Sequence, residues 1–221
     1  MSLDTDAAEM SQRFGYQTFS CAPELAPVRE FLPTGLRSVD ELLDGGLLVC
    51  ATHCINGGPT SGASSLLYRA VAGAQAQGMP VLYLDMAQSL DRRKAAAAGV
   101  DLDRLLLPIG TSLEQMRLMI DRLARWGQPG LVAIDHPAPM SLARLGASLR
   151  NTTLTVLALS PGPLPGMQVR LDCQRQEWRM ERGAAIGFIS ELRLTAHPFL
   201  PIRQVRACFD IPRPEDCSAR R

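Results

Sequence analysis

Short, uninterrupted apolar runs recur along this chain, each followed by a segment in which apolar residues return every three or four positions. Residues 81–85, 131–135 and 154–159 show no polar alternation, so each such strand expects cover on both faces. Strands of this kind separated by amphipathic helices predict an α/β fold, a mostly parallel sheet flanked by helices. Helices are read over 63–77, over 89–98, and from the capping Ser112 through Leu113, Met116, Ile120 and Leu123 to Gly127. Another carries Leu142, Leu145 and Leu149 on one face, and a further buried-type strand is read over 105–109. From Met167 the texture becomes alternating, in 169–172, 178–180, 186–194 and 203–211, which predicts antiparallel C-terminal strands extending one sheet edge. One core domain over 31–211 follows, with 1–30 as an N-terminal arm and 212–221 as a mobile polar tail.

The strand read over 49–56 runs into Gly57-Gly58-Pro59-Thr60-Ser61-Gly62, a turn that neither helix nor strand can contain, and helix formers resume at Ala63. Strand, glycine-rich loop and helix in that order is the setting of a phosphate-binding loop, G-x-x-x-x-G-K-[ST]. Its amides and helix N-terminus cradle phosphates, and its lysine neutralises them. Gly57 and Gly62 have the required spacing and Ser64 and Ser65 supply hydroxyls, but the lysine position holds Ala63. Taken alone, the segment also reads as an ordinary glycine-rich turn. Asp135 ends an apolar strand, where a carboxylate holds magnesium directly or through water, although a strand-ending Asp also serves as a helix cap or loop acceptor.

Further landmarks carry a family resemblance. Pro33-Thr34-Gly35-Leu36-Arg37-Ser38-Val39-Asp40-Glu41-Leu42-Leu43 resembles the TG-x-x-x-LD-x-LL segment of RecA and KaiC-like ATPase cores. Residues 85–91 and 98–106 resemble the RecA stretch from its catalytic glutamate to a GVD-x-x-x-LL strand. Residues 110–115 and 169–172 resemble two later RecA landmarks, in the same order. The resemblance spans about 32–211 and implies a RecA-like P-loop NTPase core. It places the loop's nucleotide contacts on Gly57, Gly58, Thr60, Ser61, Gly62, Ala63, Ser64 and Ser65, the magnesium contacts on Ser64 and Asp135, and the adenine contact on Asp91. The family's lysine falls on Ala63 and its water-polarising glutamate on Ala87, so both chemical groups of hydrolysis are absent. The RecA DNA loops are shortened: 160–166 is Ser160-Pro161-Gly162-Pro163-Leu164-Pro165-Gly166, with no basic or aromatic side chain, and Ser160 takes the place of a coupling glutamine.

The resemblance therefore implies a pseudo-ATPase, with no catalytic residue, no resident metal and at most weakly bound ATP or ADP with magnesium. The expected role is a protein-interaction or regulatory subunit in DNA repair, recombination or translesion synthesis, similar to the ImuA group. Its expected partners are a RecA-like recombinase or translesion polymerase factors, with self-association through a sheet edge and DNA contact made without RecA-type loops. Two other readings stand beside it: an active NTPase whose loop a partner residue completes, and a SulA-like regulatory inhibitor.

Charge narrows little. Lys and Arg total 23 against 22 Asp and Glu, so DNA contact would need a local patch, for which Arg193, Arg203 and Arg206 are candidates. Alternating strand residues facing solvent are the simpler reading of those arginines. Lys94 is the only lysine, so few side chains can replace a missing ammonium. No apolar run approaches the roughly 20 residues of a membrane span, and the N-terminus lacks a leader pattern, which predicts a cytoplasmic protein without membrane partners. The six cysteines are scattered, and Cys50, His53 and Cys54 lack a second ligand pair, so buried thiols are expected there rather than a metal site. His136 is read as a polar strand-end residue, and Trp126 and Trp178 as packing groups.

Overall fold

The computed structural model describes residues 30–137, 145, 148 and 153–211. A two-stranded antiparallel ribbon, β1 (Phe31–Leu32) and β2 (Leu47–Leu48), opens the fold and brackets helix α1 (Arg37–Leu42). Asp40 of that helix reaches back to Thr34, taking its N–H at 2.7 Å and its hydroxyl at 2.8 Å. That pair explains why Thr and Asp stand six apart in this segment: each satisfies the other in a place where Thr34 is wholly buried.

The main sheet follows as β3 (Thr52–Asn56), β4 (Val81–Asp85), β5 (Leu105–Leu106), β6 (Gly130–Asp135), β7 (Leu154–Ser160), β8 (Val169–Glu181), β9 (Ala184–Ala196) and β10 (Arg203–Asp210). Their spatial order is β10-β9-β8-β3-β7-β6-β4-β5. From β5 to β8 every pairing is parallel, and β9 and β10 join antiparallel, so the expected mostly parallel sheet with antiparallel C-terminal strands is present. One detail is corrected. Residues 169–172 and 178–180 are not two antiparallel strands but parts of one, β8, whose first residues lie parallel to β3 and only its other edge runs antiparallel to β9.

Helix α2 (Ala63–Ala76) packs on one face of the sheet with α3 (Arg92–Ala97), and α4 (Leu113–Arg125) covers the other. In α2, Leu66, Leu67, Ala70, Val71 and Ala74 are buried at helical spacing, each large side chain contributing about 1.5–3 kcal/mol. Asp91 caps α3, and Ser112 with Gln115 forms a reciprocal capping box on α4. The strand expected over 105–109 ends at Leu106, and the helix expected from 89 begins at Arg92, after its cap. Leu145 is helical and buried, while Leu142 and Leu149, the arm over 1–29 and the tail over 212–221 lie outside the described residues. No helix among the described residues is long and apolar enough to cross a membrane.

Cys54 and Cys173 are buried, and burial pushes their thiols up to about 11 and about 12, so both stay protonated. Cys50 departs from the expected buried strand: it stands exposed at φ 60°, before β3 begins. Trp126 is also exposed rather than packed, at 66%. His53 is buried in mid-β3, its Nδ1 3.2 Å from the Val156 carbonyl and its Nε2 without a hydrogen-bond partner. Burial lowers its pKa to about 4, against the smaller opposing pull of the Val156 and Ala51 carbonyls. Above pH 6.5 the ring is neutral in folded and unfolded chain alike. Between 6.5 and 4 only the unfolded chain takes the proton, so stability falls with pH by up to about 3 kcal/mol. Urea titrations across that range should show the slope, and His53→Gln should remove most of it.

Candidate functional site

The loop between β3 and α2 has no room for a side chain at either of its terminal glycines. A Cβ on Gly57 would stand 2.8 Å from the Ala63 Cβ and closer still to Ser61 Oγ. Gly62, at φ 94°, is in the left-handed region, and a Cβ there would meet Phe209 at 2.9 Å and Phe188 at 3.0 Å. Gly58, by contrast, faces open space. Helix α2 begins directly at Ala63 with no side-chain cap, so its first amides face the loop, except that the Ala63 N–H reaches Ser61 Oγ at 3.3 Å. Ala63 itself is buried, whereas Ser64 is exposed and Ser65 half-buried.

The C-terminal strands hold this loop from above. Ser190 Oγ and Cys173 Sγ both donate to the Ser61 carbonyl, at 2.6 Å and 3.0 Å. The register of β8 shifts between Arg175 and Glu177, a bulge at Gln176. Side chains alternate along a strand, so without that extra residue Arg175 and Trp178 would point to opposite faces. With it they share one: the Arg175 guanidinium lies 4.4 Å above the Trp178 ring and donates to Thr60 Oγ1 at 2.6 Å. Trp178 meets Phe188 edge-on at 5.7 Å, and Phe188 stacks on Phe209 at 5.3 Å. The packing expected of Trp178 is thus present, although 44% of the residue stays exposed.

At the carboxyl ends of β4 and β6, the Asp135 carboxylate is 2% exposed and surrounded. Tyr83 donates to its Oδ2 at 3.2 Å and Ser89 Oγ at 2.8 Å, and His136 Nδ1 stands 2.5 Å from Oδ1. Burial, and then the Asp135 charge, push the Tyr83 phenol far above its ordinary range, so it remains a donor. Asp85 turns the following segment by accepting the N–H groups of Ser89 and Leu90, which leaves Ala87 exposed at the tip. Thr60, Gln88 and His136 hold φ of 62°, 53° and 49°, so left-handed non-glycine backbone follows the carboxyl ends of β3, β4 and β6. The loop glycines fit a phosphate, since they leave bare amides where a Cβ would intrude. For a magnesium ion, Ser64 offers a free hydroxyl, but Asp135 Oδ2 already accepts from Tyr83 and Ser89 and Oδ1 lies against His136 Nδ1, and the pair as arranged does not fit the ion.

Two contacts from α2 position α3 beside the loop. Tyr68 Oη accepts the Asp91 N–H at 3.1 Å, and the Gln75 amide both donates to the Asp101 carbonyl and accepts its N–H, each at 2.8 Å. Asp91 is engaged as the cap of α3 and as partner of Lys94 at 3.4 Å. Burial opposes its ionisation, but the Lys94 amide and ammonium outweigh that and hold the carboxyl below its usual range. Between loop and α3 opens a cavity of about 930 Å3, walled by 58–65 but for Pro59, by Arg69, and by Arg92, Arg93 and Lys94, with Trp178, Phe188 and Phe209 in the wall that adjoins the loop.

The structure thus brings Gly58, Thr60, Ser61, Gly62, Ala63, Ser64 and Ser65 to one cavity, with the Lys94 side of α3 opposite, and sets Asp135 apart from its lining. It does not gather the arginine patch. Arg193 and Arg206 share the outer face of the β9–β10 pair, where Glu191 stands opposite Arg206; Arg203 points to the other face and pairs with Asp44 at 2.8 Å. Arg69, Arg92, Arg93 and Arg175 are the site residues that motif reasoning missed. Spacing offered a signal for one of them, since Arg69 follows Ser65 by a helical turn; the bulge that aims Arg175 left none.

The sequence matches the model of the RecA N-terminal domain over residues 3–151. The RecA proteins of Streptomyces avermitilis and Kineococcus radiotolerans are each 33% identical to it, over 142 and 141 residues, which is 63% of this chain and 37% and 40% of those relatives. The RecA protein of Clavibacter michiganensis subsp. michiganensis is 34% identical over 142 residues, 63% of this chain and 39% of the relative. The match takes in about two fifths of the length of these curated relatives.

Gly62→Ala combines left-handed strain with a collision against two buried rings, and should cost about 2–4 kcal/mol. Gly58→Ala meets neither and should stay within about 0.5 kcal/mol of the parent. Denaturant midpoints of the two variants, compared side by side, check the difference.

Proposed function

This chain belongs to the RecA family, and from that premise we propose that it is a catalytically degenerate RecA paralogue, working in DNA repair or recombination by binding other proteins rather than by turning over ATP. The carrying observation is that the loop keeps the glycines its shape demands while Ala63 and Ala87 stand where hydrolysis needs a lysine and a carboxylate. The first loss removes a full positive charge from the phosphates and the second removes the group that orients the attacking water; a positioned acid–base group alone contributes about 10²–10⁴ in rate. Engagement of Asp135 by Tyr83, Ser89 and His136 supports the same reading.

A RecA-like recombinase or translesion polymerase factors, the latter as in ImuA-type proteins, are the partners this reading names. The outer edge of β10 is a surface on which a partner strand, or a second copy of the chain, can add. DNA contact, where made, falls to surface arginines such as Arg193 and Arg206, because 161–166 has no basic or aromatic side chain. A second reading, an NTPase completed by a partner's residue, draws on one observation, the steric preservation of Gly57 and Gly62.

Steady-state ATP hydrolysis by the purified protein should not exceed that of its Asp135→Asn variant. Ala63→Lys alone should leave the rate near that level, and Ala63→Lys combined with Ala87→Glu should raise it by about tenfold or more. Deletion should alter survival or mutation frequency after DNA damage, and the purified protein should retain a recombinase or polymerase factor in a pull-down. Robust turnover abolished by Asp135→Asn would instead establish the second reading.

A further inference from the structure

We propose that the cavity between the glycine loop and α3 binds a nucleoside polyphosphate without a divalent cation, its charge neutralised by Arg69, Arg92, Arg93 and Lys94 in place of lysine and magnesium. This extends the inactive reading of the site, but its failure is read in binding rather than in turnover.

The cavity, at about 930 Å3, lies within the range of small-ligand pockets, about 300–1,000 Å3. Its charge is one-sided in a chain that carries 23 basic and 22 acidic residues overall. Four cationic side chains line it, and the one carboxylate in its lining, Asp210, is held by Arg179 at 2.7 Å. Lys94 is paired with Asp91 at 3.4 Å, and no ion pair involves Arg69, Arg92 or Arg93 among the described residues. Arg92 and Arg93 stand next to each other at the start of α3, and a polyanion in the cavity would relieve their mutual repulsion. The cations are also placed in advance, because Tyr68 and Gln75 tie both ends of the α3 segment to α2, the helix that starts at the loop.

The aromatic wall that adjoins the loop suits the rest of a nucleotide. Trp178 presents a partly exposed ring beside Phe188 and Phe209, and a base has a face to stack on it. A divalent cation has no such place, since Asp135 is outside the cavity lining and its carboxylate accepts from Tyr83 and Ser89 and lies against His136.

The test uses the full chain in a Trp126→Phe background, so that Trp178 is the remaining tryptophan and reports from the cavity wall. ATP should quench its fluorescence saturably, with a Kd in EDTA no weaker than in magnesium and with binding that weakens as salt rises. Inorganic triphosphate should compete with ATP. Substituting Arg92, Arg93 and Lys94 together by Gln, all three exposed, should weaken binding about tenfold or more, while Arg193→Gln/Arg206→Gln on the outer β9–β10 face should leave it unchanged. Loss of ATP binding in EDTA, an unchanged Kd in the triple variant, an equal loss in the outer-face variant, or failure of triphosphate to compete would overturn the proposal. Displacement of ATP by an oligothymidylate at lower concentration than by triphosphate would overturn it in favour of single-stranded DNA. Absence of any ATP binding would overturn it too, and would leave the partner-binding function standing.

Discussion

The carbonyl of Ser61 accepts from Ser190 and Cys173 at once, and that oxygen joins the glycine loop to the C-terminal strands. Both donors are buried, so breaking either bond would strand a polar group away from water at about 1–3 kcal/mol. The grip dictates much around it. It draws β8 and β9 over the loop until Phe188 and Phe209 rest where a Cβ of Gly62 would go, which leaves glycine as the residue that fits. It also places the Gln176 bulge where Arg175 can reach Thr60. The loop is therefore a clamped segment rather than a free turn, and its shape is retained by packing even where the lysine of a RecA-type loop is replaced by Ala63.

Charge is distributed around this clamp differently from what the loop motif alone would lead one to expect. The lysine position is filled by a buried alanine, and cationic side chains stand on the opposite wall, on α3, with Arg69 two turns into α2. On the sheet side, Asp135 has become the centre of a hydrogen-bonded cluster that joins the ends of β4 and β6 through Tyr83, Ser89 and His136. Two hydroxyls and an imidazole nitrogen crowd its oxygens, and those contacts compete with any metal-bound water for the same oxygens.

Most of the fold was legible in the sequence. The continuous apolar runs of β4, β6 and β7 and the helical spacing in α2 and α4 report burial on two faces and on one stripe, and burial is what the pattern of apolar residues encodes. The glycine spacing at 57 and 62, the serine cap at Ser112 and the alternation after Met167 are local effects of the same kind, set by residues within a few positions of one another. The Thr34–Asp40 pair is just as local, closed within six residues, but no sequence pattern announces it.

What the tertiary structure decided lies between residues far apart in the chain. Alternation alone does not reveal whether β8 runs parallel or antiparallel to β3, because period two is the same in both, and the direction of 169–172 is set by its neighbour. It is equally silent about a single-residue bulge, which reverses every side chain beyond it and puts Arg175 and Trp178 over a loop more than a hundred positions earlier. The same parity separates Arg203 from Arg193 and Arg206, although all three look alike in sequence. The sequence by itself determined the layers of this protein and the glycine spacing of its loop, through burial and turn rules that act locally. Which charges face that loop, and which carboxylate is already spoken for, was decided by strand register and by the tie between α2 and α3, because those contacts exist only once distant segments are packed together.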